Sequence, residues 1–288
     1  MTQLYNKNGE VITMDDAKTD EETFINLLGK KTAGKDKEVS NLCLKNLEFT
    51  KKQQAEINKK GLFKDKTFTN VKFKNCGFHE IIFEGTKFID CSFINCHFSK
   101  SKFYQNEFYL NKKNNYEIED NLFYSTSFDN TEIIGNLFNK CIAQKNSFKE
   151  GKIEENGHNA CCFIKNRYFA SFYHKNGFID CFLNKNKYIG NISIDNRYRK
   201  CDMRNIKHID EDLRQNLIYE CNLSNSSFNR IKFIETKIIK SDFTNSYFNE
   251  NDFFYTKNIG NKFEKATFVG TKVPLNSVEE AKPQDFSM

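Results

Sequence analysis

The stretch Phe63-Lys64-Asp65-Lys66-Thr67-Phe68-Thr69-Asn70-Val71-Lys72-Phe73-Lys74-Asn75-Cys76-Gly77-Phe78 places a phenylalanine at every fifth position. The frame continues through Phe83, Phe88, Phe93, Phe98, Phe103 and Phe108. It resumes at Ile118 and Phe123, and runs on through Phe243, Phe248, Phe253, Phe263 and Phe268 to Val273. Five is neither the period of a helix nor that of a strand. A short fixed repeat over most of a chain predicts a solenoid, in which each unit touches only its neighbours.

A second column lies two residues before each central residue and holds small or hydrogen-bonding side chains, among them Cys76, Cys91, Cys96, Ser101, Asn106, Thr126 and Thr131. Eight of the ten cysteines fall in it, and Cys43 and Cys162 do not. Cys141, Cys161, Cys181, Cys201 and Cys221 are spaced by twenty, as are Asn136, Asn156, Asn176, Asn196 and Asn216. A twenty-residue period built from four five-residue units predicts a four-sided coil with like residues stacked in ladders. Stacked Asn side chains can bond along the axis at the strand spacing of about 4.8 Å.

The pattern resembles the pentapeptide-repeat family, whose five-residue unit carries a small residue, any residue, then Leu or Phe. Cys91-Ser92-Phe93, Cys96-His97-Phe98 and Thr126-Ser127-Phe128 fit that unit. The resemblance covers about three-quarters of the chain. It implies an all-β solenoid, a right-handed quadrilateral β-helix of about 11 coils. It also implies that the central residue and the small residue point inward and the other three outward. At about 4.8 Å per coil the rod would be roughly 50 Å long. Central-column exceptions are Lys113, Ala143, His158, Tyr173, Ser193, His208 and Asn258. Lys113 sits in Tyr109–Asn115, read as one bulged coil, and the frame is otherwise read as free of long insertions. His158 and His208 read as solvated or hydrogen-bonded irregularities rather than ligands.

Three segments are expected: an N-terminal cap over 1–60, the repeat over 61–273 and a tail over 274–288. In the first, Asn8-Gly9 between apolar pairs signals a hairpin. Thr19-Asp20-Glu21-Glu22 is a capping box for a short helix ending at Gly29. Leu42, Leu44, Leu47 and Phe49 form a first coil out of phase, and residues 50–60 interrupt it as a loop or helical turn. The alternative for this segment is a docking or dimerising appendage, and the ends of the rod are candidates for self-association.

The net charge is +6, too weak by itself to imply nucleic acid. The N-terminus lacks a signal-peptide pattern, and no run approaches the ~18 apolar residues of a membrane span. The expectation is therefore a cytoplasmic protein with no membrane association. No catalytic constellation, metal motif or cofactor motif is present, so no enzyme is expected. The cysteine ladder reads as packing with reduced thiols, because a straight ladder does not converge on a metal. Cys162 is placed outward and expected to meet thiol reagents.

Laid out four units per turn, one side carries Lys145, Lys165, Arg167, Lys185, Lys187, Arg204 and Lys207 without an acidic residue. Beside it, Phe169, Phe172, Ile189, Ile192 and Ile209 occupy outward positions. Exposed apolar surface rimmed by charge is an interface signature, set here against the bland reading of a solvated, lysine-rich face. The leading expectation is a non-enzymatic module that binds and modulates or inhibits a protein or protein complex, as bacterial and phage members of the family do. One alternative is a gyrase or topoisomerase modulator that mimics DNA, which the resemblance also implies but which wants an acidic rod. Another is a phosphate-backbone nucleic-acid binder using the basic strip.

Overall fold

The computed structural model describes residues 2–6, 11–15, 19–30, 38–109 and 122–271. The predicted tail, Val273 and part of the bulged coil lie outside them. The described chain is an all-β parallel solenoid with four sheets. It divides into two compact units, Met1–Ser147 and Phe148–Met288. Among the described residues no helix is long and apolar enough to cross a membrane.

In the first unit each five-residue repeat contributes one three-residue strand and one corner. Ser92, Phe93 and Ile94 pair in parallel with Lys72, Phe73 and Lys74, twenty residues earlier. The corner residue takes a left-handed conformation, as in Asn70 with φ 54°, Asn75 with φ 54° and Lys100 with φ 50°. That conformation is disfavoured for side chains other than Gly, Asn and Asp. It persists because it aims the corner amide at the next coil: Asn70 N donates to the Ile89 carbonyl at 2.8 Å. The central rings stack along the sheets, with centroids 4.7 Å apart for Phe73 and Phe93 and 4.9 Å for Phe78 and Phe98. Rings on adjacent sheets meet edge-on, as do Phe93 and Phe98. Offset-stacked and edge-to-face contacts are the favoured aromatic geometries, and the phenylalanine rings pack in both along and between the sheets.

The second column proves to be a hydrogen-bonding column. Ser101 Oγ donates to the Phe78 carbonyl at 2.9 Å, and Asn106 Nδ2 to the Phe83 carbonyl at 3.0 Å. Cys96 Sγ lies 3.4 Å from the Phe73 carbonyl in the same role. In the second unit the expected asparagine ladder is present. Asn176 Nδ2 donates to Asn196 Oδ1 at 2.8 Å, and the Asn176 and Asn196 backbone amides donate to the Oδ1 of the next asparagine.

The expectation of a frame without long insertions needs correction. Phe93 pairs with Phe123 and Phe108 with Phe138, a step of thirty rather than twenty. The ring stacks carry across the step, at 5.3 Å and 4.7 Å. These strands are thus neighbours in their sheets although ten residues more than one coil separate them. Ten is a multiple of five, so the sequence phase survives the insertion and conceals it.

The N-terminal segment begins with strands β1 (Thr2–Asn6) and β2 (Val11–Asp15), which pair antiparallel as the hairpin expected there. Helix α1 (Asp20–Lys30) starts from Thr19, whose Oγ1 accepts from the Glu22 amide at 3.2 Å. Strands β3 (Glu38–Ser40) and β4 (Leu42–Lys45) follow, and β4 pairs in parallel with Lys72–Lys74. Helix α2 (Lys51–Lys59) occupies the stretch read as an interruption, opened by a reciprocal Thr50–Gln53 capping box. Its length shifts the phase, so that Val39 pairs with Phe68 across twenty-nine residues. β1 also pairs antiparallel with β4, adding the hairpin to the sheet edge. Phe24 of α1 is fully buried against Phe49, Phe63 and Phe73. The buried Lys66 Nζ donates to the Leu28 carbonyl near the helix end at 3.1 Å.

Phe98 is fully buried among six other rings, so Phe98→Ala should cost about 3–5 kcal/mol, whereas Ile133→Val should cost about 0.5–1.5 kcal/mol. Urea-denaturation midpoints of the two variants measure the difference. Equal midpoints would contradict a close-packed aromatic core.

Candidate binding surface

In the second unit the strands Arg167–Phe169, Lys187–Ile189 and Lys207–Ile209 pair in register. Each central residue points inward, so its two neighbours point out. This alternation stacks Arg167, Lys187 and Lys207 in one outward column and Phe169, Ile189 and Ile209 in the next. Lys165 and Lys185 stand at successive corners, with φ of 56° and 58°, and are exposed. Rungs about 4.8 Å apart hold these like charges close together. None of Lys165, Arg167, Lys185, Lys187 and Lys207 forms an ion pair among the described residues.

The apolar neighbours continue round a corner. Phe169 is 46% exposed, and Ile192, on the next sheet, is 44% exposed. Phe172 and Ile192 pair in register there. The corner between the two sheets is formed by Ala170 and Gly190, at φ 46° and 62°. Nothing lies within 4 Å of where a Cβ on Gly190 would stand. Small corner residues thus leave the apolar surface continuous from Phe169 and Ile189 to Phe172 and Ile192. At its far end a surface hollow of about 330 Å³ is lined by Gly190, Ile192, Asp210, Asp212, Arg230 and Lys232. Arg230 donates to Asp210 there from Nε and Nη2, at 2.5 and 2.8 Å.

Two of the residues proposed from sequence have partners of their own. Arg204 is bound by Asp202, two residues earlier, with Nε–Oδ1 at 2.8 Å and Nη2–Oδ2 at 2.7 Å. Its charge is already answered, and Asp202 holds its guanidinium charge more firmly. Lys145 belongs to the first unit, where its Nζ donates to the Tyr124 hydroxyl at 2.7 Å and lies over that ring. The core of the strip is therefore Lys165, Arg167, Lys185, Lys187 and Lys207 beside Phe169, Phe172, Ile189 and Ile192. Ala170 and Gly190 were missed by the sequence reading, although two consecutive small corners were visible in it.

Behind these strands the interior changes character. Tyr168, Tyr188 and His208 stack inward, with centroids 4.7 and 4.6 Å apart. Burial raises the pKa of Tyr168, Tyr173, Tyr188 and Tyr198, so all four remain neutral hydroxyls. Glu211 occupies the small-residue column yet is 3% exposed. Asn191 Nδ2 donates to its Oε1 at 2.6 Å, and its Oε2 meets His208 Nδ1. A carboxylate in that column was a readable anomaly that the sequence reading passed over. His208 is thus hydrogen-bonded but not solvated. His158 is also buried, stacked on Phe178 at 4.4 Å, and burial lowers its pKa to about 3.

The cysteines are all free, and among the described residues no His, Cys, Asp and Glu group of three or more could hold a metal ion. Cys181 and Cys201 donate to the His158 and Phe178 carbonyls at 3.4 Å, as the small-residue column does elsewhere. Cys162 is corrected: although outward in the frame it is buried, and burial pushes its thiol up to about 11. Only Cys43 has appreciable exposure.

No family model matches the chain, and no curated protein matches it. Among solved structures it is similar to HetL, a pentapeptide repeat protein involved in heterocyst differentiation regulation from the cyanobacterium Nostoc sp. strain PCC 7120. The TM-score is 0.53 at 8% identity, covering 78% of this chain and 95% of that one. QnrB1, a plasmid-mediated fluoroquinolone resistance protein, aligns at 12% identity over 83% of this chain and 91% of that one, with a TM-score of 0.32. Rfr23, a pentapeptide repeat protein from the cyanobacterium Cyanothece 51142, aligns at 10% identity over 36% and 64%, with a TM-score of 0.25. The likeness to HetL shows that this chain has the fold of a pentapeptide repeat protein.

Two outcomes follow from this chemistry. A thiol reagent added to the native protein should modify Cys43 and spare Cys162 until denaturant is added, and Cys43→Ala should abolish the native-state signal; rapid native labelling of Cys162 would contradict its burial. His158 stays neutral in the folded chain down to about pH 3, whereas the unfolded chain takes up a proton near its ordinary value of 6.5. Below pH 6.5 the unfolded state therefore binds more protons, and stability should fall by a few kcal/mol between about pH 6.5 and 3. His158→Phe should flatten that part of the stability curve, as read from melting temperature against pH.

Proposed function

We propose that the chain is a non-enzymatic protein-binding module whose contact surface is the basic and apolar corner of the second unit. The observation that carries this reading is a stack of unpaired cations set against an exposed apolar corner. Other cations meet anions, as Lys87 meets Glu107, Lys102 meets Glu132 and Arg230 meets Asp210, while lysines such as Lys237 and Lys257 also stand without an ion pair among the described residues, on the opposite sheet. At the corner five stacked cations have no ion-pair partner among the described residues, and they flank exposed Phe169 and Ile192. Stacked like charges repel unless something acidic answers them. A partner presenting carboxylates beside an apolar side chain would relieve that repulsion and bury the corner together.

By occupying a surface of its partner such a module acts as a modulator or inhibitor, and it needs no catalytic group. DNA mimicry is the weaker reading, because it calls for stacked anions where this strip stacks cations. A duplex or single strand held by its phosphates remains the competing use of the same cations.

The test is affinity capture from nuclease-treated bacterial lysate, identification of the captured protein, and titration of the purified pair. Lys165→Glu/Arg167→Glu/Lys187→Glu should weaken binding at least about tenfold. Lys237→Glu/Lys257→Glu, an in-register lysine pair on the opposite sheet, should leave it unchanged. Equal losses in both variants would reduce the effect to net charge. Undiminished binding by the first variant overturns the corner as the contact surface. Capture of nuclease-sensitive material alone assigns the cations to nucleic acid.

A further inference from the structure

The interior beneath the corner encloses a chamber of about 30 Å³, lined by Tyr173, Tyr188, Asn191, Ser193, Glu211 and other core residues. Most of its wall is apolar, but Tyr173, Asn191, Ser193 and Glu211 bring polar groups to it. Tyr173 is 7% exposed, and its buried hydroxyl has no hydrogen-bond partner. A buried phenol without a partner loses the hydrogen bonds it makes in water, so such groups in folded proteins are nearly always bonded to protein or solvent.

Glu211 supplies the complementary half. An ionised carboxylate offers about four acceptor sites. Asn191 Nδ2 and His208 Nδ1 are the two side-chain contacts found on it. Its negative charge perturbs Tyr173, Tyr188 and Tyr198, which places all three hydroxyl-bearing rings around it. Tyr173 and Glu211 nevertheless make no direct hydrogen bond. The size of the chamber selects the occupant. It admits a single water, to which the Tyr173 hydroxyl can donate and from which the Glu211 carboxylate can accept.

We propose that the chamber is a site for one ordered water, which accepts from the Tyr173 hydroxyl and donates to the Glu211 carboxylate. The bridge joins two neighbouring sheets from within. Tyr173 stands between Phe172 and His174 on one strand, and His208, which anchors Glu211, stands between Lys207 and Ile209 on another. The water thus ties together the inner sides of strands whose outer sides form the apolar corner.

The test is a crystal structure of the full chain at about 1.5 Å or better, with Tyr173→Phe measured beside it. A density peak within hydrogen-bonding distance of both Tyr173 Oη and Glu211 is expected. The variant removes one hydroxyl and should melt about 2–4 °C below the wild type, because the water loses a partner. In a dry chamber the sign reverses: deleting an unpartnered buried hydroxyl raises the melting temperature. A featureless chamber, or a variant more stable than the wild type, overturns the proposal. The wild-type density decides the matter even if the variant does not fold.

Discussion

The structure depends on a hydrogen bond made on the inside of many of its corners. A side chain two residues before a central residue donates to the carbonyl of a central residue twenty-three positions earlier in the chain. Cys91 serves Phe68, Cys96 serves Phe73, Ser101 serves Phe78 and Asn106 serves Phe83. Across the step of thirty the same relation holds over thirty-three positions, with Thr126 serving Phe93 and Thr131 serving Phe98. An inward carbonyl has no water to turn to, and an unmet buried acceptor is costly. Where the column supplies a donor, that donor is small enough to leave room for the ring beside it, and Val71, Ile81, Ile206 and Ile231 fill the position without one. That explains why thiols, hydroxyls and carboxamides interchange there, and why so many cysteines occur without a disulfide or a converging metal site. Asparagine adds a service the others perform less well, since its Oδ1 also receives the backbone amide of the preceding coil.

This constraint is why the fold was legible. The five-residue frame, the four-sided coil and the ladders follow from which side chains can sit inward, and those choices are written residue by residue. A local signal held as well, in the cap at Thr19, whereas the Thr50–Gln53 box that opens a helix was passed over. What the sequence hid is tertiary. A ten-residue insertion leaves a period of five untouched, so the step between Phe93 and Phe123 surfaces only in the pairing. The antiparallel docking of β1 on β4 has no periodic signature at all.

The corner was legible in outline for the same reason, because a twenty-residue layout predicts which outward residues stack. Its errors came from side-chain reach, which a frame does not encode. Arg204 folds back two residues to Asp202. Cys162 is outward by position but buried in fact. Glu211 illustrates the opposite case: its inward position was readable, and its meaning appears only when Asn191 and His208 are found around it.

Alternation along a strand binds the two faces of this surface to each other. Arg167, Lys187 and Lys207 are each one residue from an inward Tyr168, Tyr188 or His208, so that column cannot shift without disturbing the stack behind it. The first unit meets the same geometry with phenylalanine, which favours tight, non-directional packing. The second unit uses hydroxyl, imidazole and carboxylate groups that must find particular partners. A buried ion pair is a poor source of net stability compared with apolar packing, because desolvation offsets much of the attraction. Its effect is directional: it admits few arrangements of the strands that carry it. An interface whose cations stack without counterions gains from such a support, since repulsion between rungs would otherwise spread the side chains away from the apolar corner they flank.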